Sequence, residues 1–162
     1  MELTELIDSR IATYATRQPD WETLGFQAAV DPKYRRGQIR YIGSGATGNH
    51  EGDPTIVPSE NFTLSTMVLP AGAEGPLHLH TDAEEVFFVL DGTMTFLFQQ
   101  EEDGEILERV LTERDAVSVP AGWYRGVRND GDSEARMLVL VGARKPVRPT
   151  YPSNSPIQRP ND

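Results

Sequence analysis

The stretch from Gly72 to Gly92, GAEGPLHLHTDAEEVFFVLDG, determines which fold and which chemistry the sequence predicts. It contains His78 and His80, two of the three histidines in the chain of 162 residues. In an extended segment, side chains two residues apart point to the same side, so both imidazoles face one space. A pair of glutamates follows at 84 and 85. Imidazoles and a carboxylate that converge in this way predict a metal site.

The second half of this stretch has the pattern of a buried strand that ends in a turn. Residues 86–90 form a continuous apolar run, VFFVL. The dipeptide Asp91-Gly92 follows, and it favours a tight hairpin turn. The pattern therefore predicts a strand that turns back on itself at Gly92.

Short β-rich runs follow one another through the middle of the chain. Turn signals rich in Gly, Pro, Asn and Asp separate them, as at residues 70–72, 120–122 and 129–131. Many short strands at close, regular spacing are typical of an antiparallel sandwich or barrel, so we predict an all-β fold. The predicted strands are 62–69, 86–90, 93–99, 106–111, 116–119, 124–128 and 136–141.

The two ends of the chain differ from this β-rich middle. Apolar residues at helical spacing predict an amphipathic helix over 2–16, which packs on the main body or on a second subunit. Short strands are predicted at 24–30 and 38–42, followed by a glycine-rich loop at 43–48. Five prolines from residue 146 onward predict an extended tail, because helices and central strands do not tolerate that density.

The predicted organisation therefore has three parts. Residues 1–59 form an N-terminal helix and an extended arm, residues 60–142 form a β-barrel, and residues 143–162 form the proline-rich tail. The tail is either packed over a surface or disordered.

Composition limits the classes of partner and the location. The chain has 25 Asp and Glu against 15 Lys and Arg, a net charge of −10, which argues against nonspecific binding to nucleic acid or to an anionic membrane. It has no cysteine, which excludes disulfides, thiolate ligands and a cysteine nucleophile. No signal peptide and no apolar run of membrane-spanning length is visible, so we expect a cytoplasmic protein.

The spacing of the opening stretch resembles the first motif of the cupin superfamily. Gly72, His78, His80, Glu85 and Gly92 match that motif at every defining position. The resemblance implies a small jelly-roll barrel, a double-stranded β-helix, around one divalent transition metal ion such as iron, manganese, nickel, zinc or copper. It also implies a small-molecule substrate and a homodimer.

A second motif of the same family matches in part. Pro120, Gly122 and Asn129 agree with it, whereas Arg114 replaces its leading glycine and Arg125 replaces its metal-binding histidine. An arginine stays protonated and cannot act as a metal ligand.

The first motif carries over three of the four usual ligands, His78, His80 and Glu85. Glu84 is a competing carboxylate, but strand alternation sends Glu84 and Glu85 to opposite faces, and Glu85 has the required spacing to Gly92. The missing ligand leaves three alternatives: a three-ligand site with open positions, His50 as a fourth ligand, or a cavity that has lost its metal and binds a ligand by other means.

Arg125 itself has two alternative roles. Its guanidinium is either a clamp for a carboxylate or similar anion of the substrate, or one half of a structural ion pair with Glu85 or another acid.

These residues predict a metal-dependent enzyme that acts on a small organic molecule, acidic or phenolic. Dioxygenase-type oxidoreductase chemistry is favoured, because two histidines and one carboxylate leave adjacent positions for substrate and dioxygen. The alternatives are a metal-dependent isomerase, cyclase or lyase, and a non-catalytic cupin that binds a small ligand.

Overall fold

Two antiparallel sheets form the body of the protein in the computed structural model, which describes residues 1–44 and 53–157. One sheet has five strands in the order β1-β2-β9-β4-β7, and the other has four in the order β3-β8-β5-β6. The predicted all-β class is confirmed. The strands are β1 (Gly37–Ile42), β2 (Thr63–Leu69), β3 (Glu74–Leu79), β4 (Glu85–Asp91), β5 (Thr93–Gln99), β6 (Leu107–Thr112), β7 (Ala116–Val119), β8 (Tyr124–Arg128) and β9 (Ala135–Val141).

The core lies between the two sheets and is built from side chains that alternate inward along the strands. The Phe87 ring from one sheet packs against the Phe96 ring from the other, with 5.3 Å between ring centroids. Burial of this apolar surface is the main force that holds the sheets together. The core side chains include Met67, Leu69, Phe87, Val89, Met94, Phe96, Val119, Val127, Met137, Val139 and Val141.

The turn at Asp91-Gly92 is present, but the predicted hairpin is wrong. β4 belongs to the five-stranded sheet and β5 to the four-stranded sheet, so the turn carries the chain from one sheet to the other. Gly92 has φ +79°, and a Cβ there would lie 2.7 Å from the Cβ of Ala135. The dipeptide therefore signals the turn correctly, while long-range burial decides which strands pair.

Apart from the strand predicted at 24–30, every predicted strand is found, with ends that agree within one residue. β3 was not among the predictions, because Gly75 and Pro76 weaken its strand pattern. β1 lies outside the predicted barrel range of 60–142, yet it pairs with β2 and extends the sheet.

The predicted helix over 2–16 is much shorter in the structure. Helix α1 spans Leu3–Asp8, and none of its residues is buried. Ser9 ends it, with its hydroxyl donating to the carbonyl oxygen of Leu6 at 2.7 Å, and Thr13 is already extended. An isolated helix gains little without a buried apolar face, so helical spacing alone does not sustain it.

The strand predicted at 24–30 is wrong, because the chain forms helix α2 (Gly25–Ala28) there. The Asp20 carboxylate accepts hydrogen bonds from the backbone N–H groups of Glu22 and Thr23, which bends the chain just before the helix. The apolar side chain of Leu24 then enters the core. A short apolar run fits a strand or a buried helix equally well, so the periodicity of residues 24–30 does not distinguish the two.

The tail is packed over the barrel as far as residue 157. Thr150 and Leu79 exchange two backbone hydrogen bonds of 2.9 and 3.0 Å, which cover the free edge of β3. Ile157 is buried as well. Among the described residues, no helix is long and apolar enough to cross a membrane.

Arg114 occupies a strained position in the turn between β6 and β7. Its φ is +72°, the one positive value at a non-glycine residue within the described ranges, and the family motif has glycine there. Its side chain is 85% exposed, and the nearest acid, Glu113, is 3.9 Å away.

We expect Arg114→Gly to raise the free energy of unfolding by about 0.5–1 kcal/mol. Relief of left-handed strain, about 1–2 kcal/mol, exceeds the entropy that glycine adds to the unfolded chain, about 0.4–1 kcal/mol. Urea denaturation measures the change. The neighbouring Glu113→Gly has no such strain to relieve and should lower stability; a similar loss in Arg114→Gly would contradict the argument.

Candidate metal centre

Three side chains of the opening stretch meet between the two sheets. His78 projects from β3 of the four-stranded sheet, His80 follows directly after that strand, and Glu85 is the first residue of β4 in the five-stranded sheet. The backbone N–H of Gly122 donates to the carbonyl oxygen of His80 at 2.8 Å and holds the connection in place. The crossing from one sheet to the other therefore brings the three side chains together.

The donor atoms are nearly close enough to share one ion. Oε2 of Glu85 lies 3.4 Å from Nε2 of His78 and 3.7 Å from Nε2 of His80. The candidate ligand atoms of the three residues all lie within 4.8 Å of one another. Donors about 2.1 Å from a common ion are about 3.0–3.4 Å apart, so the set needs to contract only slightly.

The hydrogen bonds of His78 indicate which ring nitrogen is available. Its Nδ1 lies 3.0 Å from the carbonyl oxygen of Pro76, which can only accept, so Nδ1 carries the proton. In the neutral ring, the lone pair on Nε2 then faces Oε2 of Glu85. Two lone pairs at that distance repel each other unless a cation lies between them. In metal-bound histidines, the ring nitrogen that does not bind the metal usually donates a hydrogen bond to a carbonyl or carboxylate oxygen, as Nδ1 of His78 does here.

The unsatisfied atoms of the site fit the same interpretation. Oε2 of Glu85 is buried and accepts no hydrogen bond from any described group, and its contact with His78 is long for one. Buried polar atoms are normally bonded, and the contacts of this oxygen with Arg125 and with both imidazoles, at 3.3–3.7 Å, are all long, so it can accept a further partner. A divalent ion suits that arrangement of donors.

Electrostatics favour the protonation states that a metal ion needs. Burial lowers the pKa of His80 to about 4, with a partly opposing effect from Glu85, so its ring is neutral at neutral pH. Burial by itself would raise the pKa of Glu85, but His78, His80 and Arg125 around it bring the pKa below its ordinary value. A neutral imidazole and an ionised carboxylate are both competent ligands.

The two adjacent glutamates point in opposite directions. Glu85 is buried beside the histidines, whereas Glu84 is exposed and its carboxylate accepts a hydrogen bond from the hydroxyl of Ser118. The structure thus brings Glu85 and not Glu84 to His78 and His80, as strand alternation predicts.

Arg125 is fully buried beside Glu85. Its Nη1 donates to the carbonyl oxygen of Trp123 at 2.9 Å, and its Nη2 to those of Val119 and Pro120 at 3.3 and 3.2 Å. Its Nε lies 3.3 Å from Oε2 of Glu85. These contacts are those of the ion-pair alternative; the substrate-clamp role stays a prediction.

Asn129, the last residue of the second motif, fastens that motif to the first. Its side-chain N–H groups donate to the carbonyl oxygens of Leu69, Pro70 and Ser133 at 2.8–3.1 Å. Its backbone carbonyl accepts from the N–H of Gly72 at 3.0 Å. Asn129 therefore holds this loop in place through its hydrogen bonds and is not a candidate metal ligand.

A cavity of about 80 Å³ opens beside the three candidate ligands. That volume is enough for several waters or a small ligand. The sequence patterns did not identify the polar part of its wall, because those residues lie on the N-terminal arm, on the tail and on β1 and β2. The polar wall consists of Gln27, Arg36, Gln38, Arg40, Thr63, Ser65 and Tyr151, and the apolar wall of Leu24, Met67, Phe87, Val127, Met137, Val139, Val141 and Pro149.

One signal for this wall was present in the sequence: Gln38 and Arg40 stand two apart in a predicted strand, so their side chains share one face. The structure buries both side chains, and this polar face of β1 lines the cavity. His50, the possible fourth ligand, and the glycine-rich loop beyond residue 44 lie outside the described residues.

Comparison with known proteins gives one family match. Residues 65–141 match the family model described as "Cupin domain". No curated protein sequence matches the chain significantly.

Several solved structures share the fold. DMSP lyase DddQ from Ruegeria pomeroyi DSS-3 matches with a TM-score of 0.64 at 26% sequence identity, over 87% of this chain and 64% of that chain. An oxalate oxidase matches with a TM-score of 0.51 at 22% identity, over 56% of this chain and 45% of that chain. Peruvianin-I, a cysteine peptidase from Thevetia peruviana latex, matches with a TM-score of 0.63 at 15% identity, over 86% and 75%.

These likenesses confirm the predicted jelly-roll fold and leave the activity open. This chain spans less than half of the oxalate oxidase chain. The similar structure of a cysteine peptidase and the absence of cysteine from this chain illustrate that a shared fold does not determine the chemistry.

We expect Arg125→Gln to lower the free energy of unfolding by about 3 kcal/mol in the presence of EDTA. The change removes the guanidinium beside a buried carboxylate and leaves three carbonyl oxygens with fewer donors. Chemical denaturation measures it. Arg136→Gln, which breaks an exposed pair with Glu134, is the control and should change stability by less than about 0.5 kcal/mol; equal effects would contradict a structural role for Arg125.

Proposed function

Because residues 65–141 form a cupin domain, we propose that the protein is a metal-dependent enzyme in which His78, His80 and Glu85 hold one divalent transition metal ion. The observation that carries the proposal is the buried, unbonded oxygen of Glu85 facing two imidazole nitrogens. The favoured reaction is a dioxygenase-type oxidation of a small acidic or phenolic molecule.

The surroundings of the three ligands support chemistry on a small molecule. When bound, such an ion supplies Lewis acidity and, in the case of iron or manganese, redox chemistry. Three protein ligands would leave further coordination positions of such an ion available to a substrate. The apolar wall, which includes Phe87 and Val139, limits access of water to bound substrate, and the Pro76 carbonyl fixes the orientation of His78.

A metal-dependent lyase is the second candidate. It is favoured by the likeness to DMSP lyase DddQ, which extends over most of this chain. The same three ligands serve Lewis-acid chemistry without oxygen, so ligand identity alone does not separate the two reactions. A non-catalytic cupin that binds a small ligand is the third candidate and requires no metal.

Location and assembly stay predictions from the sequence. A homodimer agrees with the exposed apolar side chains of α1, among them Leu3, Leu6 and Ile7, which offer a surface to a second copy.

The metal content of matched variants tests the ligand set. We expect about one ion per chain in the wild-type protein and in Glu84→Gln, because Glu84 points to Ser118 and away from the histidines. Glu85→Gln and His80→Ala should bind the metal at least 100-fold more weakly, since loss of a ligand costs more than loss of a supporting contact, about 10–100-fold. Elemental analysis and competition with a chelator measure both quantities.

Equal metal content in Glu85→Gln and Glu84→Gln would contradict the ligand assignment. A wild-type protein that retains no metal after purification and reconstitution would favour the non-catalytic alternative.

Oxygen consumption tests the reaction class. After anaerobic reconstitution with ferrous iron, we expect oxygen uptake with phenolic or keto-acid compounds in the wild-type protein and in Glu84→Gln, and none in Glu85→Gln. Turnover of a substrate by the zinc-loaded protein without oxygen would favour the lyase instead. No uptake with any aromatic or keto-acid candidate would count against the dioxygenase.

A further inference from the structure

A buried arginine lies in the cavity wall on the N-terminal arm. Arg36 is 6% exposed and directly precedes β1. Its Nη1 donates to the carbonyl oxygen of Glu74 at 2.8 Å, and its Nη2 donates to Oε1 of Gln27 at 2.7 Å. These bonds occupy two of its five N–H donors, so the planar group is fixed in orientation while donors remain for a ligand.

The charge of Arg36 has no direct counter-ion in the described part of the chain. Its two bonded partners are neutral oxygens, and the carboxylate of Glu74 instead pairs with Lys33 at 3.2 Å. Burial lowers the pKa of Arg36 to about 10, which still leaves it charged at neutral pH. A buried cation without an acid in contact is costly, and an anionic ligand would offset that cost.

The cavity wall carries cationic side chains in a protein of net charge −10. Among the residues that line it, Arg36 and Arg40 are cationic and Glu85 is anionic, while His80 is neutral, and Asp20 partly offsets the charge of Arg40. A divalent ion on the histidines and Glu85 would increase this positive charge further. The local charge therefore selects for anions although the surface as a whole repels them.

The backbone opposite Arg36 leaves room for its guanidinium. A Cβ on Gly75 would lie 2.9 Å from Nη1 of Arg36 and 2.8 Å from a methyl group of Val127. Gly75 belongs to β3, the strand that also carries His78. One strand thus positions a candidate metal ligand and accommodates the buried cation in the same cavity wall.

The tail reinforces this position. Nε2 of Gln27 donates to the hydroxyl of Tyr151 at 2.7 Å, so a chain of hydrogen bonds runs from the tail through Gln27 to Arg36. Gln27 and Tyr151 line the cavity as well. Gln27 is a positioning residue, because it acts through the guanidinium that it holds.

We infer that Arg36 recognises a carboxylate of the ligand, so that the cavity takes a small molecule with a carboxylate at one end and a metal-binding group at the other. The role of the cavity as the active site rests on the function proposed above, whereas the anion site on Arg36 does not need the metal. The planar fork of an arginine fits a carboxylate through two parallel hydrogen bonds.

Calorimetry with a dicarboxylate and its monoamide tests the inference. Succinate and succinamate have the same length, and each retains one carboxylate for the metal, but succinamate lacks the second charge. We expect zinc-loaded wild-type protein to bind succinate about tenfold more tightly than succinamate, the scale of one charged hydrogen bond. In Arg36→Gln the preference for succinate should fall below about threefold, because the charged hydrogen bond is lost. In Arg136→Gln the preference should persist, because Arg136 pairs with Glu134 outside the cavity.

Equal binding of the two compounds by the wild-type protein, or an undiminished preference in Arg36→Gln, would overturn the inference. If Arg36→Gln does not fold, the comparison of succinate with succinamate on the wild-type protein tests the inference by itself. The measurement is repeated on protein treated with EDTA, where succinate binding itself should weaken in Arg36→Gln and persist in Arg136→Gln, because one carboxylate suffices for the Arg36 site. A protein that binds no zinc but still binds succinate in this Arg36-dependent way would refute the proposed metal function and leave the anion site standing.

Discussion

The structure depends on one buried, ionised carboxylate. Glu85 lies between the sheets, and the rings of His78 and His80 and the guanidinium of Arg125 lie 3.3–3.7 Å from its Oε2, with Arg125 as the permanent cation among them. A carboxylate in such a place is stable only if cations or hydrogen-bond donors accompany it. Because β3, β4 and β8 supply these groups, the requirement to compensate one charge ties the two sheets together at the same point where the metal would bind.

Two parts of the chain contribute different properties to the site. The candidate ligands come from the segment that matches the family model, whereas Gln27, Arg36 and Tyr151 come from the arms on either side of it. Members of one fold family can share the first set while the second varies, which is the physical reason that a fold does not identify a substrate. The N-terminal arm and the tail cover the barrel, and the N-terminal arm also supplies the charged side chain of Arg36 to the cavity wall.

Local patterns in the sequence were sufficient for every strand of the two sheets except β3, and for the grouping of His78, His80 and Glu85, since alternation and spacing act over a few residues. They failed where distant contacts decide. Asp91-Gly92 specifies a turn, but the long-range pairing of β4 with β7 and β9, and of β5 with β6 and β8, places the two strands in different sheets. The helical spacing over 2–16 has no buried surface to sustain it beyond Asp8. The cation Arg36 could not be identified, because it lies about 40 residues before the histidines and no local pattern connects the two.

Arg125 is the departure from the family pattern that has the most consequence. It stands in register opposite His78 on the neighbouring strand, at the position where the related motif has a metal-binding histidine. A permanent cation there compensates Glu85 without a metal ion, so we expect the barrel to fold without one. At the proposed site the same guanidinium would repel a metal ion and would leave it three protein ligands instead of four. In place of a histidine, the arginine would therefore separate folding from metal binding, lower the metal affinity and keep one more coordination position for a substrate.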